Sequence, residues 1–284
     1  MFAFLLTIAL LFYHNQKINW GLTSVFFTSM FLFDLVTTAI NNYIDTKTNG
    51  QQLQFGRKNA FWIIVLLLAS SAALGLYLVY LTDTVVLLAG GLCFLCGVLY
   101  TGGPVPISRL PWGEALSGVF YGFLLPFILL YVNLPQGTLL TLDFNWQTIA
   151  VNFQILPLAA LALFSVIPVC ATANIMLANN ICDLKKDIAV KRYTLPYYLG
   201  GKSLFLFAGL YYAAYLAAVA LVIFKIFPPL SLIFLITIVP VQKNINVFLK
   251  RQDKASTFSC AIRNFIIIMG SNALLVFIGG LLKI

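Results

Sequence analysis

The sequence predicts an all-α integral membrane protein, formed as a single polytopic domain over residues 1–284. The chain is 61% hydrophobic and only 9% charged, whereas about 25% of the residues in a typical soluble domain are charged. Its mean hydropathy is +0.97. The apolar residues form long runs, which indicate helices, because a helix satisfies its backbone groups internally and a membrane barrel needs short segments of alternating polarity.

Nine apolar runs each predict one membrane-spanning helix, and together they predict a nine-helix bundle. One crossing takes about 20 residues. The first run has 13, so we expect the first helix to be truncated, with the true start upstream or part of the span missing. The sixth run is longer than a crossing requires. The runs cover residues 1–13, 20–41, 60–81, 84–100, 115–132, 148–178, 203–224, 229–248 and 263–282.

Lysine and arginine are concentrated in the connections that follow the second, fourth, sixth and eighth runs. Of the 17 in the chain, only Lys17, Lys225 and Lys283 lie elsewhere. The positive-inside rule therefore predicts a multi-pass plasma-membrane protein with these connections in the cytoplasm, the amino terminus inside and the carboxyl terminus outside. The net charge of +9 is explained by this topology, so we set nucleic-acid binding aside and infer no obligate protein partner.

The most unusual polar stretch covers residues 179–187, at the end of the sixth run. Asn179, Asp183 and Asp187 are spaced by four residues, which stacks them on one helix face about 6 Å apart. Carboxylates this close repel each other unless a cation lies between them, and Mg²⁺ prefers such oxygen ligands. A polar helix cap followed by a basic surface turn is the simpler alternative.

The same Asn-Asn-x-x-Asp pattern occurs earlier in the chain. Asn41 and Asp45 end the second run as Asn179 and Asp183 end the sixth, four helices later and on the same side of the membrane. Repetition at equivalent positions predicts two four-helix pseudo-repeats. We therefore expect the motifs at 41–45 and 179–187 to face each other across one site.

Basic side chains lie close to both motifs in the sequence. Those that we expect to contact a ligand are Arg57, Lys58, Lys186 and Arg192. Acids and bases at one site suit a diphosphate that arrives with Mg²⁺, since carboxylates bind the metal, the metal binds diphosphate oxygens, and the bases neutralise the remaining charge. Contact with lipid headgroups is the alternative for each basic residue.

One further acid, Asp34, lies inside the second run. A carboxylate exposed to lipid at a helix centre costs about 2.5–3.5 kcal/mol. We therefore expect Asp34 to face the bundle, where it lines the cavity or makes a structural hydrogen bond.

Together these residues resemble the UbiA-type intramembrane prenyltransferases, a superfamily of nine-helix proteins with Asp-rich motifs after the second and sixth helices. The second motif is complete, whereas in the first Asn42 and Asn49 stand where many members have aspartate. That departure leaves open how many metal ligands the first motif supplies. The resemblance implies a UbiA-like bundle whose cytoplasmic loops cap a central cavity.

Within the superfamily, the chain is most similar to the branch that prenylates 1,4-dihydroxy-2-naphthoate in menaquinone biosynthesis. The likeness lies in the segments 37–45, 100–107 with Gly113 and Glu114, and 192–196. It implies transfer of a polyprenyl group from polyprenyl diphosphate to dihydroxynaphthoate, with loss of CO₂ and diphosphate, giving demethylmenaquinol.

The resemblance also implies roles for individual residues. The catalytic and Mg²⁺-binding set would be Asp45, Asp183, Asp187, Asn41 and Asn179. The diphosphate would contact Arg57, Lys58, Lys186 and Arg192. The prenyl cation or the acceptor would contact Asn42, Tyr43, Tyr100 and Lys243. Aromatic faces suit this last role because each stabilises a cation by about 0.5–2 kcal/mol.

Two alternatives remain open from the sequence. A UbiA-type enzyme acting on another aromatic acceptor would carry the same Asp-rich motifs. A transporter built from repeats would also be polytopic, but its polar site would lie near the bilayer midplane, whereas the polar residues here cluster at one membrane face. The release of diphosphate on mixing donor and acceptor separates the enzyme from the transporter.

Overall fold

The computed structural model describes residues 1–46, 53, 55–102, 106–145 and 147–283, without the side chains of Asp45 and Thr101. Helices dominate this part of the chain. In order, they are α1 (Phe2–Tyr13), α2 (Trp20–Asp45), α3 (Arg57–Leu81), α4 (Thr84–Thr101), α5 (Gly113–Val119), α6 (Leu125–Tyr131), α7 (Ile155–Ala189), α8 (Leu195–Leu199), α9 (Lys202–Ile223), α10 (Ile238–Lys250) and α11 (Ser259–Leu282).

Three shorter helical segments and one hairpin complete the fold. A 3₁₀ turn covers Ile107–Arg109, a π-helical turn over Phe120–Leu124 joins α5 to α6, and a 3₁₀ segment over Pro229–Thr237 leads into α10. The strands β1 (Leu140–Phe144) and β2 (Ile149–Phe153) pair antiparallel.

Seven of the described helical segments are long and apolar enough to cross a membrane, and two shorter apolar helices accompany them. The seven are Trp20–Ile44, Arg57–Leu81, Gly113–Tyr131, Ile155–Ala189, Lys202–Ile223, Pro229–Lys250 and Ser259–Leu282, and the shorter two are Phe2–Tyr13 and Thr84–Tyr100. The protein is therefore a multi-pass, helical membrane protein, as predicted. Each predicted run overlaps one of these helices, although nine complete crossings remain a prediction.

The start of the sixth predicted span is wrong. Residues 149–153, assigned there to a membrane helix, form strand β2 instead, and α7 begins at Ile155. The Asn145 side chain accepts hydrogen bonds from the backbone N–H groups of Gln147 and Thr148, which stabilises the turn between the strands. An apolar run rich in β-branched residues fits either a strand or a helix, so periodicity alone could not separate them.

Helix α7 is the longest element and carries the second motif. Its 35 residues make it about 52 Å long, whereas the hydrocarbon core of a bilayer is about 30 Å thick. The helix is therefore longer than one crossing requires, and residues 179–187 form its carboxyl-terminal part. Pro168 lies inside the helix, where proline normally causes a bend.

The π-helical turn packs closely against α7 at the level of this proline. A Cβ atom at Gly122 would clash with the backbone of Pro168 and Val169, so only glycine allows the two helices to approach this far. Elsewhere, Ser29 on α2 and Ser71 on α3 each donate a side-chain hydrogen bond to the other's carbonyl, at 2.8 and 2.6 Å. These contacts fix the helices that surround the cavity described next.

Candidate functional site

A cavity of about 540 Å³ lies between α2, α3, α4 and the α5–α6 segment. Its walls are largely apolar, and its polar lining includes Asp34, Thr37, Asn41, Tyr100 and Tyr121. Asn41 and Tyr100 lie near the ends of α2 and α4. The cavity also reaches Met176 of α7, three residues before Asn179. It therefore connects the first motif with the helix that carries the second.

Asp34 lines this cavity, as predicted, and it accepts a hydrogen bond from the hydroxyl of Tyr121. Tyr121 belongs to the π-helical turn, a feature that occurs frequently at functional sites. The carboxylate is thus paired inside an otherwise apolar space, which avoids the cost of an isolated charge there.

The second motif faces the connection between α10 and α11. The Lys254 ammonium group donates to Asn179 Oδ1 and lies 2.6 Å from Asp183 Oδ2. Two side chains spaced by four residues on α7 therefore share one cation, which confirms that they lie on the same helix face. Lys254 was not among the predicted site residues, because its position in the sequence indicated only a cytoplasmic loop.

The turn that carries Lys254 is held by the preceding residue. Asp253 Oδ1 accepts hydrogen bonds from the backbone N–H groups of Ala255 and Ser256 and from the Ser256 hydroxyl. Those bonds lower the pKa of Asp253 below its usual value, because they stabilise its charged form. Thr257 closes the turn through hydrogen bonds to the Asp253 backbone.

Asp187, the last acid of the second motif, is only 5% exposed and faces Arg192. Arg192 Nη1 lies 3.8 Å from Asp187 Oδ1, and its Nε donates to the Ser108 carbonyl at 2.9 Å. Lys191 has a φ of 55°, and the Arg192 N–H then bonds back to the Asp187 carbonyl at 2.8 Å. This left-handed turn ends α7 and directs Arg192 onto Asp187 and the 3₁₀ turn at Ile107–Arg109.

A buried hydrogen bond joins the start of α5 to the second motif. Asn180 donates to Glu114 Oε1 at 2.8 Å, and the two residues are 1% and 3% exposed. Glu114 Oε2 and the Tyr100 hydroxyl are both buried and make no hydrogen bond to the described residues. Neither Asn180 nor Glu114 was predicted as a site residue. The signal available was that Glu114 is the only glutamate in the chain and stands at the edge of an apolar run.

The first motif is described only in part. Asn41 lines the cavity, whereas the side chain of Asp45 and all of Asn49 lie outside the described residues. Arg57 Nη1 donates to the Tyr43 carbonyl at 3.3 Å, and its guanidinium lies 5.1 Å from the centre of the Tyr43 ring. The structure therefore brings Arg57 to this helix end, and its contact with a diphosphate stays a prediction.

The remaining predicted contacts are exposed. Asn42, Lys58, Lys186 and Lys243 all have exposed side chains. Lys243 lies on α10, where its neighbour Asn244 donates to Asn264 at 2.7 Å. Their roles at the site stay predictions.

The predicted metal site is compatible with the residues that the structure describes. Across the described side chains, no three His, Cys, Asp or Glu come together, and the third predicted carboxylate, Asp45, is not described. However, the second motif offers only oxygen donors, Asp187 Oδ2 is buried with no partner among the described residues, and Asn179 and Asp183 already bind one cationic group. These properties fit a hard divalent ion such as Mg²⁺.

Comparison with known proteins decides the family. The sequence pattern of the UbiA prenyltransferase family matches residues 2–266. The chain belongs to this family. It is therefore a prenyltransferase, and the transporter alternative no longer applies. The family implies polyprenyl and aromatic substrates and a membrane setting.

Individual relatives agree with this assignment. The chain is 29% identical to a 1,4-dihydroxy-2-naphthoate octaprenyltransferase of Bacillus subtilis (strain 168), over 83% of this chain and 73% of that protein. Its fold is similar to a UbiA homologue from Aeropyrum pernix K1, with a TM-score of 0.65, 13% identity and coverage of 99% and 97% of the two chains. It is also similar to a digeranylgeranylglyceryl phosphate synthase structure, with a TM-score of 0.63, 18% identity and coverage of 99% and 94%.

Proposed function

We propose that this UbiA-family protein transfers a polyprenyl group from polyprenyl diphosphate to 1,4-dihydroxy-2-naphthoate, with loss of CO₂ and diphosphate, giving demethylmenaquinol. The observation that carries the proposal is an apolar cavity with polar helix ends near one end of it. Polyprenyl diphosphate has an apolar tail and an anionic head, so its site requires an apolar cavity with polar groups near one end. The choice of acceptor rests on the Bacillus subtilis relative and on the sequence segments that resemble its branch.

In this proposal, the tail of the donor lies among the apolar residues of α2, α3 and α4, and its diphosphate lies beyond Asn41. Met176 marks the approach of the cavity to α7, so the head group can contact both motifs. Arg192 and Arg57 supply positive charge, one at each helix end. Charge-assisted hydrogen bonds from arginine to phosphate are among the strongest available to a protein.

The metal-binding residues would be Asn41 and Asp45 on α2 and Asn179, Asp183 and Asp187 on α7. Bound Mg²⁺ would neutralise charge that develops on the departing diphosphate. Asp187 is held by Arg192, and Asn179 is held at the surface of α7 one turn before Asp183. The helix therefore fixes the spacing of its three oxygen donors before any ligand binds.

Departure of diphosphate breaks the C–O bond and leaves an allylic cation at the end of the tail. The electron-rich ring of the acceptor forms the new C–C bond at its carboxylated carbon, and loss of that carboxyl group as CO₂ returns the electron pair that restores aromaticity. Tyr100, Tyr121 and Phe120 line the cavity, and aromatic faces can stabilise the cation. A largely apolar wall limits access of water, which would otherwise trap the cation.

The decisive experiment mixes the purified full chain with Mg²⁺, a polyprenyl diphosphate and an equimolar panel of hydroxylated aromatic acids. The proposal expects diphosphate release and a product whose mass equals dihydroxynaphthoate plus the prenyl group minus CO₂. A product formed only from another acceptor would reject the assigned substrate and retain the prenyl transfer. Diphosphate release without any acceptor adduct would reject both parts of the proposal.

A further inference from the structure

The second motif is already paired with a cation that belongs to the chain itself. Lys254 bonds to Asn179 Oδ1 and to Asp183 Oδ2, the latter at 2.6 Å. These two oxygens are part of the set that the proposed function assigns to Mg²⁺. No role in the sequence analysis covered this lysine.

The position of Lys254 is built into the fold. Its turn is fixed by the hydrogen bonds that Asp253 accepts from Ala255 and Ser256. Its ammonium group also lies 4.8 Å from the centre of the Phe258 ring. A lysine on a turn with several local bonds loses less freedom on pairing than one on a flexible loop. The turn and the Phe258 ring therefore direct the Lys254 ammonium group towards the second motif.

A divalent ion bound to Asp183 Oδ2 would share this oxygen with the Lys254 ammonium group. Mg²⁺ binds oxygen at about 2.0–2.1 Å, whereas the Lys254 nitrogen lies 2.6 Å from the same atom. Two positive centres on one oxygen would repel each other strongly. Binding of the metal at Asp183 is thus favoured when Lys254 moves away. Its side chain is 41% exposed, so a path into solvent or towards a ligand is open.

We propose that Lys254 is an internal counterion that competes with the free divalent ion for Asn179 and Asp183. When a metal–diphosphate complex binds, Lys254 leaves Asp183 and pairs with a diphosphate oxygen. The exchange lowers the affinity for free metal and raises the affinity for metal that arrives with diphosphate. This inference rests on the proposed function, because it assumes that the metal and the diphosphate of the donor bind at this motif.

The test measures binding rather than turnover. The full chain in detergent is titrated with Mn²⁺ alone, and free Mn²⁺ is followed by electron paramagnetic resonance; inorganic pyrophosphate is then titrated at fixed Mn²⁺. In Lys254→Met, we expect Mn²⁺ affinity to rise about three- to tenfold and Mn²⁺-dependent pyrophosphate affinity to fall about three- to tenfold. Lys254→Arg retains the charge and should lie closer to the wild type than Lys254→Met does in both titrations.

Controls separate this effect from damage to the fold. Lys250→Met removes a nearby exposed lysine from the end of α10 and should leave both affinities unchanged. Lys254→Gln provides a second neutral variant if the methionine variant does not fold. Equal or lower Mn²⁺ affinity in the neutral variants, unchanged pyrophosphate affinity, or no Mn²⁺ binding by any variant would overturn the inference.

The inference and the proposed function fail in different ways. If the wild type forms the prenylated product and the neutral variants bind Mn²⁺ as the wild type does, only the role of Lys254 is rejected. If the affinities change as expected and no product forms with any acceptor, the proposed reaction is rejected and the counterion exchange stands.

Discussion

The ends of α2 and α7 carry the same Asn-Asn-x-x-Asp pattern, yet their surroundings differ. At the end of α2, Arg57 bonds to the Tyr43 carbonyl and stacks on its ring. At the end of α7, Lys254 and Arg192 lie against the carboxylates of Asp183 and Asp187. The second motif is thus tied to cations through its acidic side chains, whereas in the described part of the first motif, which lacks the Asp45 side chain, Arg57 contacts the Tyr43 carbonyl, the Tyr43 ring and the Thr46 hydroxyl.

This difference suggests that the ends of α2 and α7 have different roles in the site. The carboxylates of α7 are fixed by a long helix, a left-handed turn and a buried hydrogen bond to Glu114. We infer that α7 provides the rigid half of the site. Its carboxylates, with Lys254 and Arg192, would balance the charges of the bound metal and diphosphate. In the proposed function, the α2 end supplies the other half of the site.

The strongest test of this division is Asp183→Ala. Loss of this carboxylate removes the acid that contacts Lys254 and a proposed metal ligand, so we expect prenyl transfer to fall by at least about 100-fold. Asp143→Ala removes an exposed acid from β1 and serves as the matched control, with activity within about twofold of the wild type. Product formation at a tenth of the wild-type rate or more in Asp183→Ala would argue against a rigid half centred on α7.

Part of this arrangement could be read from the sequence. The apolar runs located the helices, and the spacing of four residues placed Asn179 and Asp183 on one face. The basic residue Arg192 was expected to contact a diphosphate, which stays a prediction. The structure adds a contact between Arg192 and Asp187, which lie five residues apart and are brought together by a tight turn.

The rest depended on tertiary packing. Lys254 is 71 residues from Asp183, and Glu114 is 66 residues from Asn180, so no local pattern links either pair. In the sequence, Lys254 indicated only membrane topology. The hairpin at β2 was missed because its apolar residues continue directly into those of α7.

The second test removes the buried hydrogen bond that supports α7. Asn180→Ala leaves the Glu114 side chain buried without this donor, which costs about 1–3 kcal/mol or more and should lower the Tm in detergent by roughly 2–10 °C. Glu114→Gln retains an oxygen that can accept from Asn180, so a smaller change is expected. Equal stability of Asn180→Ala and the wild type would show that this bond does not make α7 rigid.

The third test compares the two arginines directly. Arg192→Ala breaks the contacts to Asp187 and to the Ser108 carbonyl, and it leaves Asp187 buried without its cation. We expect the Kd for a non-reactive diphosphate analogue to rise at least about tenfold, since a charge-assisted bond contributes about 1.5–3 kcal/mol. Arg57→Ala should raise this Kd about fivefold. A larger effect at Arg57 would reverse the proposed division between the helix ends.

The smallest expected effect concerns Tyr43, whose ring lies under the Arg57 guanidinium at 5.1 Å. An exposed cation–π contact contributes about 0.5–1 kcal/mol, so Tyr43→Leu should weaken binding of the same analogue by about two- to fivefold. Tyr43→Phe retains the aromatic face and should bind within about twofold of the wild type. The carbonyl that accepts from Arg57 belongs to the backbone and survives both substitutions. If the phenylalanine variant is as weak as the leucine variant, the tyrosine hydroxyl, and not the ring, is what the α2 end contributes.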